Sequence, residues 1–312
     1  MESFFVALNA VVPFTFYIAF GYLMQRVHAV GEDFLKQLNQ VVFHLFFPFT
    51  TFYSFCSMED RLSVNLPFVM LVAGSILLLV AILLLTVPRI VHENPRRGVI
   101  IQALYRCNVV LFAVPLTQSV FGDSITALIS MVVVVTVPMY NVISVLVLEY
   151  YNGTRPEVGA LLRRLLANPF IRGAIAGFIV HILHIHLPAC LLKPVSAVNS
   201  MAAPLALFVL GGTLHFRAVG RNLKYIIPTL SIKLLVLPAI VMVIVRAMHL
   251  GPQEALAYLC CFGTPVATAS YPMALNLGGD GELAGHLVMI STVVSAVTLF
   301  FWIFFMKYTG IL

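Results

Sequence analysis

The chain has 312 residues, of which 61% are hydrophobic and 10% are charged, and its mean hydropathy is +1.02. Soluble domains carry about 25% charged residues, so this composition excludes an ordinary soluble enzyme and indicates a protein with several membrane-spanning helices. The net charge of +6 does not indicate a nucleic-acid-binding protein, because the charged residues lie in short stretches between apolar segments.

Ten apolar segments are long enough to cross a bilayer, since a membrane helix needs about 20 mostly apolar residues. Numbered as spans 1 to 10, they are residues 4–24, 36–56, 67–87, 98–121, 124–148, 168–187, 191–214, 223–248, 253–277 and 282–307. Span 1 has no basic region before it and no small-residue cleavage site, which predicts a retained helix and not a signal peptide.

Spans 4 and 9 contain residues that interrupt a membrane helix. Span 4 holds Arg106, Asn108 and Pro115, and span 9 holds Pro265 and Pro272 among small hydroxyl residues. A proline leaves one helix carbonyl without a partner, which is tolerated in hydrocarbon only where that carbonyl faces protein, water or a solute. Broken helices at matching positions in two halves are typical of a transporter's binding site.

Basic residues fall unevenly on the two predicted sides of the membrane. One side has twelve of the 18: Arg26, Lys36, Arg89, Arg96, Arg97, Arg155, Arg163, Arg164, Arg172, Arg217, Arg221 and Lys224. The other side has Arg61, Lys193, Arg246 and Lys307, while Arg106 and Lys233 lie inside spans. Positive residues mark the cytoplasmic side, so both termini are predicted to be extracytoplasmic.

The two halves of the chain repeat one pattern. An offset of 156 residues aligns Pro13-Phe14 with Pro169-Phe170, Gly21-Tyr22 with Gly177-Phe178, and Pro48 with Pro204; an offset of 157 aligns Asn108 with Pro265, Pro115 with Pro272, and Asp123 with Asp280. We therefore predict two five-helix repeats, residues 1–155 and 156–312. An odd number of helices in each repeat places the second copy upside down in the membrane.

The chain resembles the auxin efflux carrier family, which includes plant auxin carriers and bacterial malonate and malate carriers. The resemblance covers nearly the whole chain, and these residues carry it: Asn108 with Pro115 and Gly122, Asn168-Pro169, Pro204-Leu-Ala-Leu-Phe208, Lys233-Leu-Leu-Val-Leu-Pro238 and Thr264-Pro265. Only about 20 residues join spans 5 and 6, so the chain is most similar to short-loop prokaryotic members and lacks the long central loop of many plant members.

The resemblance implies an all-α membrane protein of ten transmembrane helices in two inverted repeats, with the fold of sodium/proton antiporters and bile acid symporters. Spans 1, 2, 6 and 7 would form a scaffold domain, and spans 3–5 and 8–10 a transport domain. Broken spans 4 and 9 would cross beside the bound solute, and either Pro265 or Pro272 would mark the crossing. A bacterial inner or plasma membrane is the expected location, and a homodimer is compatible with this organisation.

Three residues of spans 4 and 8 are the first candidates for contact with a solute. Asn108 offers a donor and an acceptor, and the carbonyls before Pro115 are freed, although the amide alone could tie the broken backbone together. Arg106 either lines the solute path or extends to the cytoplasmic interface. Lys233 lies deeper, where three roles are compatible: neutralising a bound anion, replacing a coupling cation, or pairing with carbonyls at a helix break.

Hydroxyl and amide groups complete the predicted substrate site. Thr264, Thr268 and Ser270 surround Pro265 and are expected to bind a carboxylate, or else to pack helices. Asn141 beside Pro138 is expected to line the same pocket, and His44 is weighed as a proton-sensitive lining residue against a buried structural histidine.

The remaining motifs do not indicate a cofactor or an enzyme. His181, His184 and His186 lack a nearby Cys, Asp or Glu to complete a metal site, and the five cysteines have no metal-ligand spacing. Asn152-Gly-Thr154 matches a glycosylation pattern but is predicted to be cytoplasmic. We find no paired acids and no nucleophile with a base.

These patterns predict a secondary carrier of small organic anions that works by alternating access. The resemblance implies carboxylates such as malonate, malate or auxin-like acids, bound at the crossing of spans 4 and 9. Acidic residues lie only near span ends, as with Asp123, Glu149 and Glu254, which disfavours a cation/proton antiporter. A ligand-sensing membrane protein on the same fold is the other alternative. Proton coupling, sodium coupling and transport driven by membrane potential alone all stay open, as does the direction of transport.

Overall fold

The computed structural model describes residues 2–56, 65–152, 166–185, 187–213 and 216–312, together with residues 159 and 163. His186, Thr154, Arg61, Arg155, Arg164 and the predicted repeat boundary at 155–156 lie outside the described residues. Within the described part the chain is helical and forms no β-strand.

The helices are named here in chain order. They are α1 (Glu2–Arg26), α2 (Glu32–Val41), α3 (Phe47–Cys56), α4 (Leu66–Ile90), α5 (Asn94–Tyr105), α6 (Val114–Phe121), α7 (Thr126–Tyr151), α8 (Pro169–Ile182), α9 (Ala189–Thr213), α10 (Phe216–Ser231), α11 (Leu237–Ala247), α12 (Pro252–Gly263), α13 (Ser270–Asn276) and α14 (Gly281–Tyr308).

Every predicted span overlaps one helix or a pair of successive helices. Spans 2, 4, 8 and 9 are each made of two helices, and the other six contain one helix each. Five helical stretches are long and apolar enough to cross a membrane by themselves: Leu66–Ile90, Leu128–Tyr151, Ala189–Thr213, Val219–Ala247 and Gly281–Tyr308. The predicted all-helical fold is therefore confirmed for the described residues and is compatible with a membrane protein, while the ten crossings and their inverted arrangement stay predictions.

Three of the two-helix spans are joined through a wide π-helical turn that ends two residues before a proline. The turns are Val42–Phe46 before Pro48, Val109–Ala113 before Pro115, and Ile232–Val236 before Pro238. A proline ring clashes with the carbonyl four residues earlier, and a wider turn relieves that clash. The freed carbonyl of Leu234 accepts a hydrogen bond from the Trp302 indole N–H at 2.9 Å.

Two glycines allow close contact between helices from different halves of the chain. A Cβ atom on Gly21 of α1 would lie 2.0 Å from the Phe208 carbonyl oxygen of α9, and one on Gly177 of α8 would lie 2.6 Å from the Phe52 carbonyl oxygen of α3. Any side chain would collide with backbone at these positions. The offset of 156 residues relates Gly21 to Gly177 and Phe52 to Phe208, so the two contacts correspond to each other in the repeat.

The loops after spans 3 and 9 meet the beginning of span 8 at one end of the helices. Arg96 Nε donates to Asp280 Oδ2 at 3.0 Å, and the Tyr225 hydroxyl donates to Glu93 Oε1 at 3.2 Å. A hydrogen bond from its own backbone lowers the pKa of Glu93, helped by Tyr225 and the Arg96 charge against an opposing effect of desolvation. These contacts join loops that were predicted to be cytoplasmic.

A second set of contacts joins loops predicted for the opposite side. Asn65, before α4, donates to the Glu254 carboxylate at the start of α12. Gln253 Nε2 donates to Ser124 Oγ at 3.1 Å, which links this region to the beginning of span 5. The described loops thus associate in two groups that match the predicted sides.

Candidate functional site

The helix breaks of spans 4 and 9 meet backbone to backbone. After α5 ends at Tyr105 and α12 ends at Gly263, Cys107 and Val266 form an isolated antiparallel bridge. The Asn108 N–H donates to the Pro265 carbonyl oxygen at 2.9 Å. The span-9 break therefore supplies a backbone acceptor to an N–H group that the span-4 break left outside the helix.

Pro265 is the span-9 proline at this crossing. Pro272 lies inside the first turn of α13, and Pro115 lies in the first turn of α6, after the π-helical turn. These two prolines start the helices that follow the breaks, where a missing N–H costs little.

Side chains from three other spans, 5, 8 and 10, hold the broken backbone. The Tyr140 hydroxyl of α7 donates to the Cys261 carbonyl at 2.9 Å, which is the carbonyl four residues before Pro265. Val266 N–H donates to Ser291 Oγ of α14 at 3.1 Å. The Lys233 ammonium is 0% exposed and donates to the Leu104 carbonyl at 3.0 Å and to Cys107 Sγ at 2.9 Å.

A cavity of about 420 Å³ lies against one side of the crossing. Its lining combines the two breaks with α3, α7, α8 and α9. The lining residues are Phe47, Thr50, Tyr53, Ser54, Arg106, Cys107, Asn108, Val109, Val110, Leu111, Val133, Val134, Val137, Tyr140, Asn141, Phe170, Asn199, Ser200, Ala202, Ala203, Ala267, Thr268 and Ala269. Most of this surface is apolar, as is usual for a small-molecule site.

Arg106 is the charged member of this lining, and its side chain is 4% exposed. Its Nη2 donates to Asn141 Oδ1 at 2.6 Å, and its Nη1 donates to Ser144 Oγ at 3.3 Å and to the Met273 sulfur. All three acceptors are neutral. Within the described part of the chain no carboxylate lies at ion-pair distance from the guanidinium.

Asn108 supplies a second polar group beside Arg106. Its residue is 6% exposed, and its amide nitrogen Nδ2 has no hydrogen-bond partner among the described residues. A buried amide donor without a partner costs about 1–3 kcal/mol. Because Asn108 lines the cavity, a bound ligand is the natural acceptor for this group.

The structure divides the predicted site residues into two sets. Arg106, Asn108, Asn141 and Thr268 line the cavity. The others, Pro115, Lys233, Thr264, Pro265 and Ser270, lie outside its lining and support the helix breaks or pack beside them. His44 also lies outside it, with Nδ1 3.0 Å from the Gln40 carbonyl.

The sequence prediction missed the wall of the cavity formed by α3 and α9. Thr50, Tyr53 and Ser54 of α3 and Asn199 and Ser200 of α9 line this wall. The signal was present as two clusters of small polar residues inside apolar spans 2 and 7. Without a proline or a charge to mark them, these clusters read as ordinary helix-packing residues.

A metal site has no support among the described residues, which contain no group of three His, Cys, Asp or Glu side chains placed to hold an ion. His181 and His184 lie near the C-terminal end of α8, away from the cavity lining.

A family model for a membrane transport protein matches the chain twice in succession, over residues 6–155 and 154–303. No curated protein matches the chain. Since the two matches cover nearly all of its length, the chain belongs to this family of membrane transport proteins, the auxin efflux carrier family.

Proposed function

We propose that this member of the auxin efflux carrier family is a secondary carrier of small organic anions, in particular carboxylates of the size of malonate, malate or auxin-like acids. The observation that carries the proposal is the buried Arg106 guanidinium in the lining of the cavity, with neutral partners only. A charge in the middle of a membrane protein costs several kcal/mol unless it is compensated. A bound anion is the compensation that this cavity can receive.

Alternating access is supported by the composition of the cavity walls. The α3, α8 and α9 residues belong to the proposed scaffold spans 2, 6 and 7, whereas the two breaks and α7 belong to the proposed transport spans 4, 5 and 9. A solute bound here touches both groups of helices. Movement of one group against the other would carry the solute with the crossing.

Closure at one end of the cavity has a candidate contact. The hydroxyls of Thr213 at the end of α9 and Tyr271 in α13 lie 2.6 Å apart, joining a proposed scaffold span to a proposed transport span. This contact lies on the side of the Arg96 and Asp280 pair, which we assign to the cytoplasm. The structure would then correspond to a state closed toward the cytoplasm, with both termini extracytoplasmic.

The two alternative functions make different demands on the cavity. A cation/proton antiporter needs an acidic residue at the crossing, and the described lining contains none. A ligand sensor would keep the binding site but would not need movement between the two helix groups. Binding alone therefore does not separate a sensor from a carrier.

Flux through purified protein in sealed vesicles tests the proposal. We expect uptake of a radiolabelled carboxylate into vesicles that are preloaded with the same unlabelled carboxylate, with and without sodium. Arg106→Met should abolish this exchange, whereas Arg246→Met, which removes a cation outside the cavity, should retain it. Carboxylate binding without exchange would favour the sensor, and exchange of cations but not of anions would contradict the proposal.

A further inference from the structure

The hydrogen bonds already made by Arg106 determine which of its donors are available to a ligand. A guanidinium carries five N–H groups. Nη1 donates to Ser144 and Met273, and Nη2 donates to Asn141. If each acceptor takes one proton, one N–H on Nε and one on Nη2 are left over, and these two nitrogens can form a two-pronged contact with one carboxylate. The site therefore offers a single carboxylate fork.

Three hydroxyl groups of the α3 and α9 wall offer acceptors, whereas the Asn199 amide on the same wall can both donate and accept. Thr50 Oγ1 donates to the Phe46 carbonyl at 3.2 Å, Ser54 Oγ donates to the Thr50 carbonyl at 2.8 Å, and Ser200 Oγ donates to the Ala197 carbonyl at 2.8 Å. Each hydroxyl has one proton, and the helix backbone already takes it. What these three groups present to a ligand is oxygen lone pairs.

A second carboxylate would be poorly accommodated at this wall. A carboxylate only accepts hydrogen bonds, and three of the hydroxyls on this wall would turn lone pairs toward it. Among the described lining residues Arg106 is the one cation, so a second negative charge would have no cation to balance it. A neutral N–H or O–H group would instead donate to them. The cavity thus has one end suited to an anion and one wall suited to a neutral donor.

We infer that the substrate is a monocarboxylate whose other end carries a neutral hydrogen-bond donor, and that dicarboxylates in their doubly ionised form bind more weakly. The inference rests on the proposed function and narrows its substrate class. The Arg106 fork holds the carboxylate, the Asn108 amide N–H adds a donor beside it, and the hydroxyls of α3 and α9 accept from the distal group.

A series of ligands that share one chain length and differ only in their end groups tests this inference on the unmodified protein. The ligands are succinate, monomethyl succinate, succinamate and succinamide, and a second series has the same end groups on the longer adipic chain. Binding is measured at about pH 8, well above the pKa of aliphatic carboxyl groups. Dissociation constants are measured from ligand-dependent thermal stabilisation in detergent. Within the series of the better-fitting length, we expect succinamate or its longer homologue to bind at least about tenfold tighter than the dianion or the diamide, with the methyl ester between.

The outcomes separate the inference from the proposed function. Tighter binding of the dianion would overturn the single-carboxylate inference and leave an anion carrier intact. Equal binding of the methyl ester and the amide would overturn the distal-donor part. Equal binding of the uncharged diamide, or no binding by either series, would contradict both the inference and the proposed function.

A gain-of-charge variant gives a second test. Asn199→Lys places a cation on the α3 and α9 wall, and we expect it to reverse the preference so that the dicarboxylate binds tighter than the amide acid. Asn199→Gln is the matched control and should keep the wild-type order. An unchanged order in Asn199→Lys would count against the assignment of that wall to the distal end of the substrate.

Discussion

Replacing Asn141 with aspartate tests whether Arg106 binds the anion. The amide oxygen of Asn141 lies 2.6 Å from Arg106 Nη2, so Asn141→Asp puts a carboxylate at the same place without a change of shape. The variant gives the guanidinium an internal counter-ion. We expect it to fold and to lose anion binding.

The expected size of the loss follows from the charge separation. Two unit charges about 4 Å apart interact by about 4 kcal/mol at an effective dielectric constant of about 20. That energy corresponds to roughly a thousandfold in affinity. Since water entering the cavity screens part of the interaction, we expect the dissociation constant of a bound carboxylate to rise by at least about a hundredfold.

Two variants separate charge from position in this experiment. Asn141→Leu keeps the net charge and removes the acceptor, so it should cost about 1.5–3 kcal/mol of stability and leave most of the affinity. Asn94→Asp creates the same amide-to-carboxylate change 2.7 Å from Arg97 Nη1, outside the cavity, and should leave affinity unchanged.

The measurement is the thermal stabilisation of each purified variant by a carboxylate that binds the wild type. If Asn141→Asp binds this carboxylate within threefold of the wild type, the anion is not compensating Arg106. The reasoning that links the buried guanidinium to an organic-anion carrier would then be wrong.

Three further predictions concern the helices around the site. Gly177→Ala should lower stability by about 1–3 kcal/mol because its Cβ would lie 2.6 Å from a backbone oxygen of α3. Gly74→Ala, with open space around the new Cβ, should raise stability by up to about 1 kcal/mol. The melting temperatures of the two variants and the wild type, measured in the same detergent, check this order. Lys233→Met should lower stability by about 1–3 kcal/mol because it leaves the Leu104 carbonyl at the end of α5 unpaired. It should weaken carboxylate binding far less than Arg106→Met does, which ligand titrations of both variants would show. The lowered pKa of Glu93 means that its stabilising effect is complete above the usual glutamate pKa and is lost as pH falls through the folded value. Glu93→Gln should therefore lower the melting temperature slightly in the neutral range, match the wild type at the acid end, and flatten the acid limb of the melting-temperature profile.

Most of the helical organisation was predictable because it depends on local properties of the chain. Apolar length located the helices, since every predicted span overlaps one helix or two successive helices. The position of the break in span 4 was less accessible. Pro115 suggested it, but the helix ends at Tyr105, because the π-helical turn before the proline absorbs the steric clash.

The candidate site was half predictable for a related reason. Arg106, Asn108, Asn141 and Thr268 are conspicuous because polar groups inside an apolar span need a partner, and all four line the cavity. Lys233 is equally conspicuous, but its partner is the end of α5 and not the cavity. Sequence shows that such a group needs a partner, and only the packing of helices from distant parts of the chain decides which one it finds.

Arg106 has no counterpart in the second half of the chain. Under the offset of 157 residues, Asn108 corresponds to Pro265, whose carbonyl accepts a hydrogen bond from the Asn108 N–H, whereas Arg106 corresponds to Gly263. A side chain at Gly263 would press on Pro238 and Leu259 at 3.2 Å, so the second repeat has little room for a matching cation. The contact between the two helix breaks is made by backbone, whereas the charge that would select an anion belongs to the Arg106 side chain. We therefore expect Arg106 variants to change which solutes bind without changing how the two groups of helices pack.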